Sequence, residues 1–378
     1  MIHAAYIHIP FCQQICHYCD FNKFFLKDQP VNEYLNSLEN EIILTLKEVP
    51  SQKLQTIFVG GGTPTALSES QLVLLCEMIQ NQLPYDQETE FTFEANPGDL
   101  NLKKFEILKD AGVNRISFGV QTFNEDLLKR IGRTHRPSDV FQSIEWAKMA
   151  GFENISVDLI YGLPGQTLTQ FEETLETAFS LNIPHFSGYS LIIEPKTVFY
   201  NLMRKGKLPL VGEDMDAKMY GLLIDKMEQN GYQQYEISNF SKEGFESKHN
   251  LTYWNNDWYY GFGAGAHSYV NGYRRANYGP LRKYMDPISN NELPLLENHL
   301  VTKQEQMEEE MFLGLRKTKG VSISRFEEKF GVSAVSYFSE QLKELQERKW
   351  IIIDEDSIFL TKQGRFLGNE VFQYFLGV

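Results

Sequence analysis

Short apolar runs alternate with amphipathic stretches through the first half of this chain, and that alternation leaves few folds open. The runs suited to buried strands are Ala4–Ile9, Thr56–Gly60, Glu90–Ala95, Arg115–Val120, Ile155–Ile160 and Phe186–Ile193. Between the first two lies Val31–Val49, whose Leu35, Leu38, Ile42 and Leu46 recur at three- and four-residue steps and form one apolar helix face. Leu72–Gln82, Leu102–Ala111, Ser138–Ala150 and Leu168–Leu181 fill the later gaps. Strand–helix units repeated in this way predict an α/β fold with a parallel sheet and helices outside it. Whether such a sheet lies open or curls into a barrel, its functional groups gather at the carboxyl ends of the strands.

The polar and glycine signals obey that rule. Cys12 follows the first strand, Gly60-Gly61-Gly62-Thr63-Pro64 the second, Glu94 ends the third and Gln121 follows the fourth. Asp158 and Gly162-Leu163-Pro164-Gly165 lie at the end of the fifth, and Ile192 near the end of the sixth. Scattered core or loop residues would not align on one rim.

On that rim sits Cys12-Gln-Gln-Ile-Cys16-His-Tyr-Cys19. Iron–sulfur clusters are normally held by four thiolates. Three protein thiolates on a four-iron cube leave one iron open to a small molecule. The alternatives are a zinc site or a chance cluster, but structural zinc wants four closed ligands. The fourth cysteine, Cys76, lies in Leu-Val-Leu-Leu-Cys76-Glu-Met-Ile, which reads as a buried helix face.

Composition excludes several function classes. The 378 residues carry a net charge of −14, which argues against a general nucleic-acid binder. No run approaches the roughly eighteen apolar residues of a membrane span, and residues 1–11 lack the pattern of a secretory signal. The clustered cysteines do not form a disulfide framework, and reduced thiols suit a cytoplasmic protein.

Beyond Pro195 the alternation fades. Asp214–Gln229 reads as a helix, and an aromatic block follows, with Tyr253, Trp254, Trp258, Tyr259, Tyr260, Phe262 and Tyr269. From about residue 300, helices at Glu305–Leu315, Ile323–Phe330 and Val335–Arg348 precede short strands at Ile351–Asp354 and Ile358–Thr361. That succession suggests a small winged-helix-like α+β module. The expected division is a core over 1–200, an extension over 201–299 and a terminal domain over 300–378.

Individual residues carry two readings each. The triple glycine lets backbone approach a ligand, whose ammonium or carboxylate its N–H and C=O groups would meet, or simply makes a tight turn. Glu94, in an apolar strand, needs a partner: a cationic ligand group, or a structural ion pair with Arg115 or Lys103. Asp158 poses the same question and suits a ribose hydroxyl. Arg133 follows Lys129-Arg130 and reads equally as a solvated basic face.

Tyr6-Ile-His8-Ile-Pro10-Phe11-Cys12-x3-Cys16-x-Tyr18-Cys19-Asp20-Phe21 closely resembles the opening of radical S-adenosylmethionine enzymes. Gly60–Thr65, Gly119-Val120-Gln121-Thr122-Phe123 and Asp158-Leu159-Ile160-Tyr161-Gly162-Leu163-Pro164 extend the resemblance to the branch of oxygen-independent coproporphyrinogen III oxidases and heme chaperones. It covers nearly the whole chain. It implies a partial (β/α)6 barrel of the TIM type with the small C-terminal domain. It implies that Cys12, Cys16 and Cys19 hold a [4Fe–4S] cluster whose open iron is chelated by S-adenosylmethionine. Tyr6, Tyr18, Gly61, Gly62, Thr63, Glu94, Gln121, Arg133 and Asp158 would line the nucleotide site, and Ile192 would touch the adenine.

Two departures separate the branches. The oxidases carry a further cysteine where Phe21 stands, and a long arm before the cysteine loop, where here Tyr6 is almost the first residue. In turn, His249-Asn250-Leu251-Thr252-Tyr253-Trp254 matches the HNxxYW signature that the chaperones associate with heme. An imidazole ligates heme iron, and Tyr and Trp cover an apolar macrocycle while keeping a polar handle. The resemblance therefore implies that His249, Asn250, Tyr253 and Trp254 bind heme; a core aromatic cluster is the alternative for these residues, and His8 and His267 are alternative ligands.

The resemblance therefore implies a cytoplasmic chaperone that binds heme, the [4Fe–4S] cluster and S-adenosylmethionine. It would hand heme to hemoproteins, respiratory ones included, with only transient contact at the membrane. A flavodoxin-like electron donor and a monomer or cofactor-dependent dimer belong to the same expectation; a nucleic-acid partner does not. The rival is radical decarboxylation of coproporphyrinogen III, and a radical methyltransferase is a third reading.

Overall fold

The computed structural model describes residues 2–377. Six parallel strands stand side by side in chain order: β1 (Ala4–Ile9), β2 (Thr56–Gly61), β3 (Glu90–Ala95), β4 (Arg115–Gln121), β5 (Asn154–Tyr161) and β6 (His185–Ser190). Helices over Val31–Glu48, Glu69–Gln82, Leu102–Asp110, Pro137–Met149 and Leu168–Ser180 connect them. Ile7, Ile57, Phe91, Ile116, Val157 and Phe186 are fully buried in one core with Leu35, Leu38 and Ile42 of the first helix.

The strands are extended by later parts of the chain. Tyr259–Phe262 runs parallel beside β1, with Ala4 opposite Tyr259. His267–Val270, Tyr273–Asn277 and Leu295–Leu300 follow it antiparallel. On the other flank Asn239–Ser241 and Gln233–Gln234 add antiparallel to β6. The result is one mixed 12-stranded sheet with edges at Leu295–Leu300 and Gln233–Gln234, so it stays open rather than closing into a complete barrel.

Local chemistry explains where elements begin and end. The helix expected from Leu72 begins at Glu69 because Ser68 and Gln71 form a capping box, Gln71 N–H donating to Ser68 Oγ at 3.3 Å and Ser68 N–H to Gln71 Oε1 at 3.1 Å. β6 stops at Ser190 rather than Ile193: Leu191 N–H turns back to the Tyr161 carbonyl at 3.0 Å, and Thr197 caps the next helix, Val198–Arg204.

Residues beyond 300 have a core of their own, built on Met311, Leu315, Phe326, Phe338, Leu345 and Phe375. Helices over Lys303–Gly314, Ile323–Phe330 and Ser339–Glu347 pack on an antiparallel sheet of Val321–Ser322, Ser357–Leu360 and Ile351–Ile353. The helix expected over Val335–Arg348 is broken at Phe338, whose fully buried ring anchors that core. Arg325 pairs with Asp257 and Arg274 with Glu309, each at 2.8 Å, fastening this part to the sheet. No helix among the described residues is long and apolar enough to cross a membrane.

Candidate functional site

The cysteine loop leaves β1 at its carboxyl end and is pinned on several sides. Phe11–Cys12 pairs with Phe24–Phe25 as a short parallel ladder. His17 N–H donates to the Ile131 carbonyl at 2.9 Å, and His17 Nδ1 to the Arg130 carbonyl at 2.9 Å. Gly132, at φ +78°, lies beneath the His17 ring, where an added Cβ would stand 2.9 Å from it. The loop's shape is therefore imposed by the β4–β5 connection.

Cys12, Cys16 and Cys19 are free thiols that face one cleft of about 320 Å³. Among the described residues no three Cys, His, Asp or Glu side chains are drawn together to share one metal ion. Thiolates that each take a different iron of a cube have no need to converge in that way. Burial pushes the Cys12 thiol up to about 11, with the Thr63 hydroxyl opposing. Burial likewise raises Cys19, while nearby Lys23 opposes.

A polar chain backs the loop. Thr63 Oγ1 donates to Cys12 Sγ at 3.6 Å, and Asn96 Nδ2 donates to Thr63 Oγ1 at 3.0 Å. Arg133 reaches Asn96 Oδ1 through Nη1 and the Tyr18 hydroxyl through Nη2, the latter at 3.1 Å. Arg133 is thus no solvated face; its guanidinium is inside the cleft. Burial works against its charge, but the neighbouring Tyr18 and Cys16 hold it protonated.

The sheet supplies the opposite wall. Gly61, Gly62, Glu94, Gln121 and Asp158 all line the cleft beside Thr63, Tyr18 and Arg133. The triple glycine does not offer free amides, as its sequence suggested. Gly61 N–H donates to Glu94 Oε2 at 2.9 Å, and Gly62 N–H to the Ile9 carbonyl at 2.9 Å. Its small size serves packing instead, since at Gly61, φ +111°, a Cβ would meet the His8 ring at 2.4 Å.

Glu94 has its partner in that amide, and Lys103 pairs with Glu106 at 3.4 Å on the surface instead. Burial lifts the Glu94 carboxyl to about 7, with the Gly61 amide pulling it down and Asp158 adding to the rise. Asp158 accepts from Ser117 Oγ at 3.3 Å and is raised by burial against the help of Ser187, Arg115 and Ser117. Gln121 sits at a bulge with φ +70°, and its buried Oε1 has no hydrogen-bond partner among the described residues; nor does Arg133 Nε. Three soft thiols, two half-buried carboxyls and two orphaned polar atoms around one cleft suit a cluster together with a charged, polar ligand.

Two expected residues lie elsewhere. The Tyr6 hydroxyl donates to His8 Nδ1 at 2.9 Å and its ring stacks on Phe58, outside the cleft lining. Ile192, 66% exposed, follows the end of β6 and faces solvent. The chain also brings in Asn96, Ser117, Lys23 and Tyr189, which motif reading passed over. Strand alternation signals two of them: Arg115, Ser117, Gly119 and Gln121 share one face of β4, and Glu94 and Asn96 continue one face of β3.

The aromatic segment sits at the opposite end of the strands. His249, Asn250, Tyr253 and Trp254 lie on the short helix Lys248–Trp254. Its first amides donate to Glu90 at the start of β3, from Lys248 N and His249 N at 3.0 Å each. The His249 ring is buried, stacked on Phe58, and bonded at Nδ1 to Thr56 Oγ1 at 2.8 Å and at Nε2 to the Tyr253 hydroxyl at 2.9 Å. Burial drives it down to about 3, so it is neutral. Asn250 N–H is taken by the capping Ser247, and the Trp254 indole lies 5.1 Å from the Arg316 guanidinium of the terminal domain. The alternative ligand His8 is equally engaged, Nε2 donating to the Asn22 carbonyl at 2.7 Å.

Parallel strands with a three-cysteine loop at their carboxyl rim define a class, and residues 6–178 match the model of the radical SAM superfamily. Residues 301–367 match the HemN C-terminal domain. Heme chaperone HemW of Bacillus subtilis is 58% identical over 99% of both chains. That of Lactococcus lactis is 48% identical over 99% of this chain and 97% of its own, and that of Haemophilus influenzae 34% over the same shares. The chain belongs to the heme chaperone HemW family of the radical SAM superfamily. The fold is that of coproporphyrinogen III oxidase HemN from Escherichia coli, described as a radical SAM enzyme, with a TM-score of 0.86 at 24% identity over 99% of this chain and 90% of the other.

Proposed function

We propose that this protein is a heme chaperone: it binds heme together with a [4Fe–4S] cluster and S-adenosylmethionine, and passes heme to hemoproteins in the cytoplasm or at the membrane face. The single observation that carries the reading is the full-length similarity to heme chaperones, joined to a cleft that three thiols and two half-buried carboxyls share.

In this reading Cys12, Cys16 and Cys19 hold the cluster, which when bound supplies an electron to the sulfonium of S-adenosylmethionine. Glu94 takes the ligand's ammonium, Arg133 and Gln121 its polar edge, and Asp158 a ribose hydroxyl, while Thr63 and Tyr18 keep the loop and Arg133 in place. Burial of these groups removes water that would compete for the ligand. Tyr6 supports the wall from below, and Ile192 closes over the nucleotide only if its loop moves. The helix carrying His249, Asn250, Tyr253 and Trp254 frames the heme region from the far end of the strands. The boundaries 1–200, 201–299 and 300–378 then divide the chain into the radical SAM core, its extension with the aromatic segment, and the small terminal domain. An electron donor of flavodoxin type and a cofactor-dependent dimer complete the proposal.

The test is anaerobic. Reconstituted protein is titrated with heme and separately offered coproporphyrinogen III. Heme retention without porphyrinogen consumption supports the chaperone; consumption at enzymatic rates would refute it.

A further inference from the structure

We infer that heme docks in the open cavity at the amino-terminal ends of β1 to β3, with His3 as its iron ligand. This deepens the chaperone reading and rests on it. The cavity measures about 1020 Å³, at the upper limit of the roughly 300–1,000 Å³ typical of small-molecule sites, so it suits a large, flat ligand. Its floor is one row of the sheet. Trp258, His3, Gln55 and Thr89 each precede the first paired residue of their strand, and Gln55 N–H donates to the His3 carbonyl at 2.6 Å.

The ligand choice follows from what each imidazole is already doing. The chain has eight histidines. His8, His185 and His249 have both ring nitrogens bonded inside the protein. His17 and His299 are tied to the Arg130 carbonyl and to Glu305. His135 Nε2 is buried without a partner among the described residues and His267 is exposed on the strand His267–Val270, but neither lines this cavity. His3 is half-exposed in the cavity, and its ring makes no hydrogen bond among the described residues. A coordinating imidazole needs a bare lone pair.

The other walls match the rest of a heme. The Trp258 indole offers a flat apolar surface. Lys53 and Lys248 bring two cations for two propionates; Lys53 is paired with Asp86 at 2.6 Å and with Glu88, which also lines the cavity, at 2.8 Å, exposed pairs weak enough for a propionate to displace. Lys248 directly precedes His249, so the HNxxYW helix forms the edge of this cavity while its own histidine stays inside. The signature thus shapes the docking place, and the neighbouring strand provides the ligand.

The deciding experiment is an absorption titration of the full chain with ferric heme, on wild type, His3→Ala, Lys53→Glu/Lys248→Glu and Tyr253→Phe. His3→Ala is expected to weaken heme binding by roughly tenfold or more and to move the Soret band, with an unchanged melting temperature. The double lysine variant is expected to weaken heme but not its dimethyl ester. Unaltered affinity and spectrum in His3→Ala would overturn the assignment. Failure of wild type to bind heme at all would instead remove the chaperone reading beneath it. Tighter binding in folded Tyr253→Phe, which uncovers His249 Nε2, with full binding in His3→Ala would move the ligand to His249.

Discussion

The His249 imidazole and the Tyr253 hydroxyl, one helical turn apart, are bonded at 2.9 Å inside the protein, with Thr56 closing the other side of the ring. The pair locks the helix Lys248–Trp254 against the base of β2. Tyr253→Phe removes one partner of a buried nitrogen and is expected to cost about 1–3 kcal/mol of stability, read by urea denaturation. A variant as stable as wild type would show that the bond does not hold the helix.

The three cysteines of the loop should act as a set apart from the fourth. Replacing Cys12, Cys16 or Cys19 by Ala is expected to abolish bound iron and sulfide after anaerobic reconstitution. Cys76→Ala, on the buried face of the helix Glu69–Gln82, should keep both and lose only packing. Iron and sulfide analysis with the visible spectrum distinguishes the two results.

Arg133 joins Asn96 to Tyr18, and a lysine cannot span both. Arg133→Lys is expected to cost on the order of 2 kcal/mol, since bonds to a charged group are worth about 1.5–3 kcal/mol. It should also lower the yield of reconstituted cluster, because Asn96 would no longer hold Thr63 against Cys12. Thermal melting and iron content measure the two effects.

Stability should fall as pH rises because of Glu41. Its carboxyl is buried beneath the strand Tyr259–Phe262 and accepts from Tyr284, Gly263 and Asn277. Burial lifts it from 4.5 to about 7, against those bonds. The folded state therefore holds the proton more tightly than the unfolded chain. Its contribution is complete below about 4.5 and is lost as pH climbs to about 7, a change on the order of 3 kcal/mol. Glu41→Gln should flatten that part of the stability profile, which denaturation at several pH values will reveal.

Much of the cleft was legible because each motif follows a strand whose apolar run was itself legible. The alternation placed Cys12, Gly61, Glu94, Gln121 and Asp158 on one rim, and the structure gathers all of them. The role of the glycines was not legible, because which amides they spend depends on the partners Glu94 and Ile9 from other elements. The fate of Ile192 turned on the point where β6 ends, set by a backbone bond from Leu191 to Tyr161 that no local pattern announces. Residues 253–270 read as an aromatic block; that part of them pairs with β1 is decided by tertiary packing, since Tyr260 and Phe262 are buried only once that strand is in place.

The strand Tyr259–Phe262 has a consequence for biosynthesis. β1 leaves the ribosome well before Tyr259–Phe262, so one of its two flanks stays bare until that later partner is made. Such distant pairing is slow, and it leaves a hydrogen-bonding edge exposed meanwhile. The base of the sheet, with Trp258 beside His3, therefore matures late, so a truncated or half-synthesised polypeptide would carry the cysteine loop but not the completed cavity at the strands' amino-terminal ends.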